Sequence, residues 1–156
     1  MNLIFVVLRG LALHRVAILL VVAASVVAIS GCAVNRATAT IDPTADLSRV
    51  KTVHVVKSPE DDHQIDVLIS DGLRSRGYTV TVGAEKRPDV DANVIYVDKW
   101  WWDITPYMLA LTITIRDPAD DYPLANGRSL HTSLTRLSPN EMVDEVLTNI
   151  LKGVQK

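Results

Sequence analysis

The sequence predicts an α+β fold, a two-layer sandwich in which two helices cover one face of a mixed β-sheet. Five segments alternate apolar and polar residues, and two longer segments repeat apolar residues at helical spacing. Their order along the chain is β-α-β-β-β-β-α. Because two helices with one apolar stripe each can cover only one face of a sheet, both should pack on the same side.

The first strand is predicted at 52–57, and an amphipathic helix follows it. Ser58 is expected to cap this helix, Pro59 to occupy its first turn, and Asp61 to supply the carboxylate of a capping box. Gly77 ends the helix. The residues of its apolar stripe are Ile65, Leu68, Ile69, Gly72 and Leu73. A helix between two neighbouring strands predicts a right-handed crossover with parallel strands.

The remaining strands are predicted at 78–82, 93–102, 107–116 and 128–136, the last three as an antiparallel meander. The segment 117–127 has the composition of a turn. Residues expected to point toward the helices are Leu109, Leu111, Ile113, Ile115, Leu130 and Leu134. Those expected on the open, solvated face are Thr79, Thr81, Thr112, Thr114, Ser133 and Thr135.

A second helix is predicted near the end of the chain. Ser138, Pro139 and Glu141 repeat the Ser-Pro-x-acid pattern of the first helix start. The apolar stripe of this helix comprises Val143, Val146, Leu147, Ile150 and Leu151.

The first 31 residues have the pattern of a secretory signal peptide. Arg9, His14 and Arg15 precede the apolar run Val16–Ala28, and the leader contains no acidic residue. The sequence Ile29-Ser30-Gly31-Cys32, which contains the only cysteine of the chain, resembles the lipobox of bacterial lipoproteins. The alternative is an uncleaved membrane helix over 16–34, close to the shortest length that spans a bilayer.

Membership in the lipoprotein family would imply three modifications at this site. The Cys32 thiol would carry a diacylglyceryl group, the bond between Gly31 and Cys32 would be cut, and the new amino group would be acylated, as with palmitate. Ala33, where an aspartate favours inner-membrane retention in enterobacterial members, implies an outer-membrane anchor facing the periplasm. The membrane, reached through lipidated Cys32, is therefore the first expected partner.

The mature chain is expected to hold a lipidated Cys32 and a flexible tether, together 32–49, followed by one periplasmic domain, 50–156. The tether consists of small and polar residues and shows neither helical nor strand periodicity. The mature part has 14 Lys and Arg against 18 Asp and Glu, a net charge of −4. This balance argues against nucleic acid as a partner.

The sequence offers little support for an enzyme. There is no G-x-S-x-G motif, no phosphate-binding glycine loop and no free cysteine beyond the lipobox. Asp62, His63 and Asp66 could surround a metal ion if they shared a helix face, but acidic residues in a first helical turn are better explained by the helix dipole. We therefore expect no cofactor and no metal site.

The three tryptophans are consecutive, at Trp100, Trp101 and Trp102, and Tyr107 follows shortly after. Strand parity places Trp101 on one face and the other two on the opposite face. These aromatics are the candidate partner-binding residues, because Trp and Tyr are favoured at interfaces. The alternative is that they only cover the end of the sheet.

The combined prediction is a non-enzymatic binding or accessory lipoprotein of an envelope complex. Its element order resembles that of small Gram-negative envelope lipoproteins, including accessory lipoproteins of lipid transport and lipopolysaccharide assembly. Two alternatives remain, a structural lipoprotein that assembles with itself and a metal-dependent enzyme around Asp62, His63 and Asp66.

Overall fold

The computed structural model describes residues 35–152. Within this range, six strands form one mixed sheet in the order β1-β6-β5-β4-β2-β3. The strands are β1 Asn35–Ile41, β2 Thr52–Val56, β3 Thr79–Gly83, β4 Ala92–Trp102, β5 Pro106–Arg116 and β6 Pro123–His131. Helices α1, Ile65–Arg74, and α2, Pro139–Leu151, pack together on one face. The predicted α+β two-layer sandwich is confirmed, with one additional strand.

The strand directions follow from the connections. β2 lies parallel to β3, to which α1 connects it, and also parallel to β4. β4, β5 and β6 pair antiparallel in succession, as the predicted meander requires. Both predicted apolar stripes face the core, where Ile69 and Leu147 are fully buried. No helix between residues 35 and 152 combines the length and hydropathy needed to cross a bilayer.

The prediction of a tether over residues 33–49 is wrong from Asn35 onward. β1 pairs antiparallel with β6 at every position from Asn35 to Ile41. Beyond it, a 3₁₀ turn, Leu47–Arg49, buries Leu47 in the core. The sequence of β1 shows only a weak alternation of Ala and Thr, because it is an edge strand with mostly exposed side chains, stabilised by backbone pairing.

The predicted start of the first helix is also wrong. α1 begins at Ile65, and Ser58 and Pro59 lie in the loop that precedes it. The cap residue Gln64 has a left-handed backbone, φ 59°, and its side chain caps nothing. Asp61 does the capping from outside the helix, because its carboxylate accepts hydrogen bonds from the amides of Ile65 and Asp66 at 3.1 and 2.9 Å.

The start of α2 matches its prediction. The Ser138 side chain accepts from the amide of Glu141, and the Glu141 carboxylate accepts from the amide of Ser138, which completes a capping box with Pro139 in the first turn.

Replacing Ser138 with alanine should lower the free energy of unfolding by about 1 kcal/mol, because an amide of the first turn loses its acceptor. Ser58→Ala is the matched control, since the same Ser-Pro-x-acid pattern there starts no helix. We expect it to change stability by less than about 0.5 kcal/mol. Equal losses for both variants in urea denaturation would contradict the assigned helix starts.

The orientation predicted for the last strand is wrong. β6 spans Pro123–His131, so the predicted turn 117–127 overlaps its first half. Leu130 faces away from the helices, and Leu134 is 74% exposed in a 3₁₀ turn, Ser133–Thr135, rather than in the sheet. Ser133 and Thr135 therefore do not belong to the open sheet face.

Small side chains of β6 face the helices instead, namely Ala125, Gly127 and Ser129. A Cβ atom at Gly127 would stand 2.7 Å from Ile150, so the absence of a side chain allows α2 to approach the sheet. Apolar alternation could not reveal this strand face because it holds small residues.

The open face, which was predicted to be solvated, is partly covered. His54 points away from the helices, yet it is buried. The loop 84–91 is fixed nearby, because Asn93 accepts from the amide of Arg87 and donates to its carbonyl, both at 2.9 Å. Burial lowers the pKa of His54, whose Nδ1 lies 2.7 Å from the Thr81 hydroxyl.

Candidate functional site

The three tryptophans lie at the end of the β4–β5 hairpin. Lys99 pairs with Ala110 whereas Trp100 pairs with Met108, so Leu109 is an additional residue in β5. This β-bulge explains why Leu109 does not continue the inward alternation predicted for it. A bulge bends a strand and increases its twist, and this one lies just before the aromatic end of the hairpin.

Trp100 is the inner ring of the three. It is half-buried, packs against the hydrophobic core, and donates from Nε1 to the Asp98 carboxylate at 2.6 Å. The imidazole of His63 stacks on it with ring centroids 3.7 Å apart and an interplanar angle of 17°. Trp100 is therefore held between the sheet and the loop before α1.

Trp101 and Trp102 are exposed. Trp101 is 60% exposed and Trp102 69%, and Ile104 in the turn that follows is 89% exposed. Trp102 shares the parity of Trp100 but lies closer to the hairpin end, and it is not part of the core cluster. A shallow depression of about 470 Å³ lies among these rings, lined by His63, Trp100, Trp101, Trp102 and Pro106.

Tyr107 does not share this exposure. It is only 8% exposed, and the Arg136 guanidinium lies over its ring, 4.1 Å from the centroid. The prediction of Tyr107 as a partner-binding residue is therefore wrong, because Arg136 shields its ring. Nothing in the sequence indicated this contact, which joins a residue of β5 to a loop residue 29 positions away.

Arg136 also fixes the turn of the hairpin. It forms an ion pair with Asp103 and donates to the Thr105 hydroxyl at 2.8 Å. The hydrogen bond from Arg136 lowers the pKa of Asp103 to about 2, so this carboxylate is charged at neutral pH. The turn that carries Ile104 is thus attached to the loop before α2.

The loop on the other side of the tryptophans is organised by Asp61. Its carboxylate accepts from the Tyr96 hydroxyl at 2.6 Å and from the amide of His63 at 3.0 Å, besides the two amides of α1. Burial alone would raise the pKa of Asp61, but these hydrogen bonds outweigh it and hold that pKa well below its usual range. Burial and the bond to Asp61 raise the pKa of Tyr96.

The structure separates the residues of the metal hypothesis. Asp62 and His63 lie in the loop before α1, so they do not share a helix face with Asp66. Asp66 is buried at the start of α1, with the Lys57 ammonium 3.8 Å away. Among residues 35–152, no three His, Cys, Asp or Glu side chains form a group that could hold a metal ion.

A second polar cluster, which the sequence did not indicate, lies between β6 and α2. The Glu145 carboxylate accepts from the Ser129 hydroxyl at 2.6 Å and lies 2.9 Å from Nε2 of His131. The Nδ1 atom of His131 faces the Thr135 carbonyl at 2.8 Å. Ser129 and His131 are buried, and the serine donates to the carboxylate rather than to the imidazole, so the cluster joins helix to sheet and presents no nucleophile.

Comparison with solved structures identifies proteins with the same fold. A point variant of the PelC dodecamer from Paraburkholderia phytofirmans superposes with a TM-score of 0.57 and 16% identity, over 78% of this chain and 99% of that chain. A second structure of the PelC dodecamer from the same organism gives 0.55 and 14%, over 78% and 98%. A DUF4136 family protein from Bacteroides thetaiotaomicron gives 0.51 and 10%, over 76% and 95%.

At these identities the similarity establishes the fold alone. No family model matches the chain, and no curated protein matches it. Cys32 and the leader lie outside the residues that the structure describes. The chain is therefore similar, across nearly the whole of each relative, to the PelC and DUF4136 folds.

Proposed function

We propose that this protein is a non-enzymatic envelope lipoprotein, anchored through Cys32, whose exposed aromatic hairpin is its contact surface. The observation that carries the proposal is the exposure of Trp101, Trp102 and Ile104 on a hairpin whose turn is fixed by Arg136. A contiguous exposed apolar patch on a small domain marks an interaction site.

The physical setting supports a contact role. Trp100 holds the hairpin to the core from one side, and Arg136 holds its turn from the other. The backbone that carries the exposed rings is therefore already ordered before binding, which favours recognition. The depression between them is shallow and apolar, which suits a surface contact better than the capture of a small polar substrate.

The anchor is tested by replacing Cys32 with serine. We expect the variant to lose palmitate labelling and to accumulate as an unprocessed precursor or a soluble form, because the serine hydroxyl cannot replace the thiol that receives the lipid. Metabolic labelling and mass spectrometry of the membrane fraction measure both outcomes. Labelling and mass equal to those of the wild type would contradict the anchor.

The position of the anchor can be tested separately with Ala33→Asp. If the sorting rule of enterobacterial lipoproteins applies, the variant should move from the outer-membrane to the inner-membrane fraction on a sucrose gradient. A variant that fractionates as the wild type does would remove the support that Ala33 gives to an outer-membrane location.

The alternative is a structural lipoprotein that assembles with itself. Two observations favour it as a second candidate. The PelC relatives are dodecamers by their own descriptions, and the sheet of this chain has two edge strands, β1 and β3, that pair on one side only. Chemical crosslinking of the lipidated protein, followed by sizing, distinguishes a defined oligomer of this chain from a complex with another envelope protein.

A further inference from the structure

The strand register shows at which end of the sheet the chain enters β1. Arg36 pairs with Leu130, Leu130 with Ala110, and Ala110 with Lys99, so these four residues form one row across β1, β6, β5 and β4. Asn35, the first residue of β1, lies one position beyond this row, level with Trp100. The chain therefore enters the sheet at the same end that carries the tryptophans.

The distance by which Trp102 extends beyond this row can be compared with the distance that the chain from Asn35 back to Cys32 can span. Trp102 lies two residues beyond the level of Asn35, an overhang of about 7 Å at the usual rise of a strand. Cys32 precedes Asn35 by three residues, which span at most about 11 Å. Three strand spacings separate β1 from β4, about 14 Å sideways. A lipid on Cys32 would thus bring the membrane surface within reach of the hairpin.

The chemistry of the hairpin end suits the boundary between lipid headgroups and acyl chains. Tryptophan is enriched at this depth because its ring is apolar and its N–H is polar, and Ile104 is the most apolar residue of the turn. Asp103, the acidic group of the turn, is paired with Arg136. Asp98 accepts from Trp100.

The exposed charges around this end of the sheet do not favour binding to an anionic surface. Exposed carboxylates at Glu60 and Asp62 lie in the loop beside the hairpin, and exposed cations at Arg36 and Lys99 lie in the adjoining row. These exposed charges of opposite sign offset one another, so attraction to anionic lipids is not the driving force. The burial of apolar side chains at the hairpin end can supply the driving force.

We propose that Trp101, Trp102 and Ile104 insert into the interface of the same membrane that holds the lipid on Cys32. This names the contact of the proposed surface and rests on the proposed lipidation. Two attachments at one end of the sheet would hold the strands upright on the membrane and direct the opposite end, with the β5–β6 turn, into the aqueous space. The anchor supplies the high local concentration, so the three side chains need only weak affinity of their own.

The test uses the full-length lipidated protein in phosphatidylcholine vesicles. Since all three tryptophans are consecutive, their intrinsic fluorescence reports the hairpin alone. We expect lipids with a nitroxide near the headgroup to quench this emission strongly, and aqueous iodide to quench it weakly. High salt should leave the result unchanged, because the insertion is apolar.

Two variants with one engineered thiol each give a matched pair of probes, because Cys32 is the only native cysteine and the proposed lipid blocks its thiol. Ile104→Cys places an environment-sensitive fluorophore on the hairpin, and Ala119→Cys places it on the exposed β5–β6 turn at the opposite end. Nitroxide lipids should remove most of the emission at position 104 and little of it at position 119. Circular dichroism confirms that both labelled variants are folded.

The remaining outcomes distinguish the two proposals. Protein that floats with the vesicles while both labels stay accessible to iodide overturns insertion and leaves the lipid anchor intact. Shielding of position 104 from iodide without quenching by lipid also overturns insertion, and indicates a contact with protein or a second copy. Protein that fails to float with the vesicles overturns the anchor, and the insertion that rests on it.

Discussion

Replacing Trp100 with alanine should lower the free energy of unfolding by about 3 kcal/mol, near the lower end for a buried tryptophan, because the ring is only half-buried. The loss has three components: contact with the core, stacking with His63, and the hydrogen bond to Asp98. Urea denaturation followed by circular dichroism at neutral pH measures this value without relying on the tryptophan signal.

Trp101→Ala and Trp102→Ala are the matched controls, since they remove the same side chain from adjacent positions. Both rings are mainly exposed, so each variant should change stability by no more than about 0.5 kcal/mol. Equal destabilisation by all three substitutions would show that the cluster is part of the core. Such a result would also remove the exposed surface on which both proposals depend.

Replacing Asp61 with alanine should cost about 2–3 kcal/mol at neutral pH, because the Tyr96 hydroxyl and the amides of Ile65 and Asp66 lose their shared acceptor. Asp62→Ala is the control, since the neighbouring carboxylate is exposed. We expect it to change stability by less than about 0.5 kcal/mol. A loss at Asp62 as large as that at Asp61 would contradict the assignment.

The effect of Asp61 should depend on pH in a defined direction. Its pKa in the folded protein lies below the value of 3.8 for an unperturbed aspartate, so its stabilising contribution is complete above that value. The contribution is lost as the pH falls toward the folded-state pKa. The difference in unfolding free energy between wild type and Asp61→Ala should therefore shrink as the pH is lowered below about 4. A constant difference would show that the carboxylate charge is unimportant.

The sequence predicted those elements whose signals are local. Ser138, Pro139 and Glu141 identified the start of α2 because a capping box joins residues three positions apart. The same pattern at Ser58 was misleading because Asp61 bonds to Tyr96, 35 positions away, and to amides beyond its own turn. Only the tertiary structure determines whether such a carboxylate completes a capping box in its own turn or accepts hydrogen bonds from more distant groups.

Strands without an apolar pattern were harder to predict. Asn35–Ile41 forms a strand because β6 offers it a partner, and β6 itself presents glycine, alanine and serine to α2. Neither feature produces a strong alternation in hydropathy. β6 was therefore placed on the wrong face and β1 was missed.

The candidate site was predicted in part. Parity correctly separated Trp101 from Trp100, but it could not show that Trp102 lies beyond the core while Trp100 packs against it. The shielding of Tyr107 by Arg136 depends on a loop whose position the sequence does not specify.

If Cys32 carries the proposed lipid, the pairing of β1 with β6 has a mechanical consequence. A pulling force applied to the N-terminal side of Asn35 acts along β1, at right angles to the hydrogen bonds that join the two strands from Asn35 to Ile41. These bonds are loaded together in shear and must yield together, whereas a force across the strands would open them one after another. Under the proposed lipidation, an edge strand with little buried surface would in this way transmit tension from the membrane to the domain.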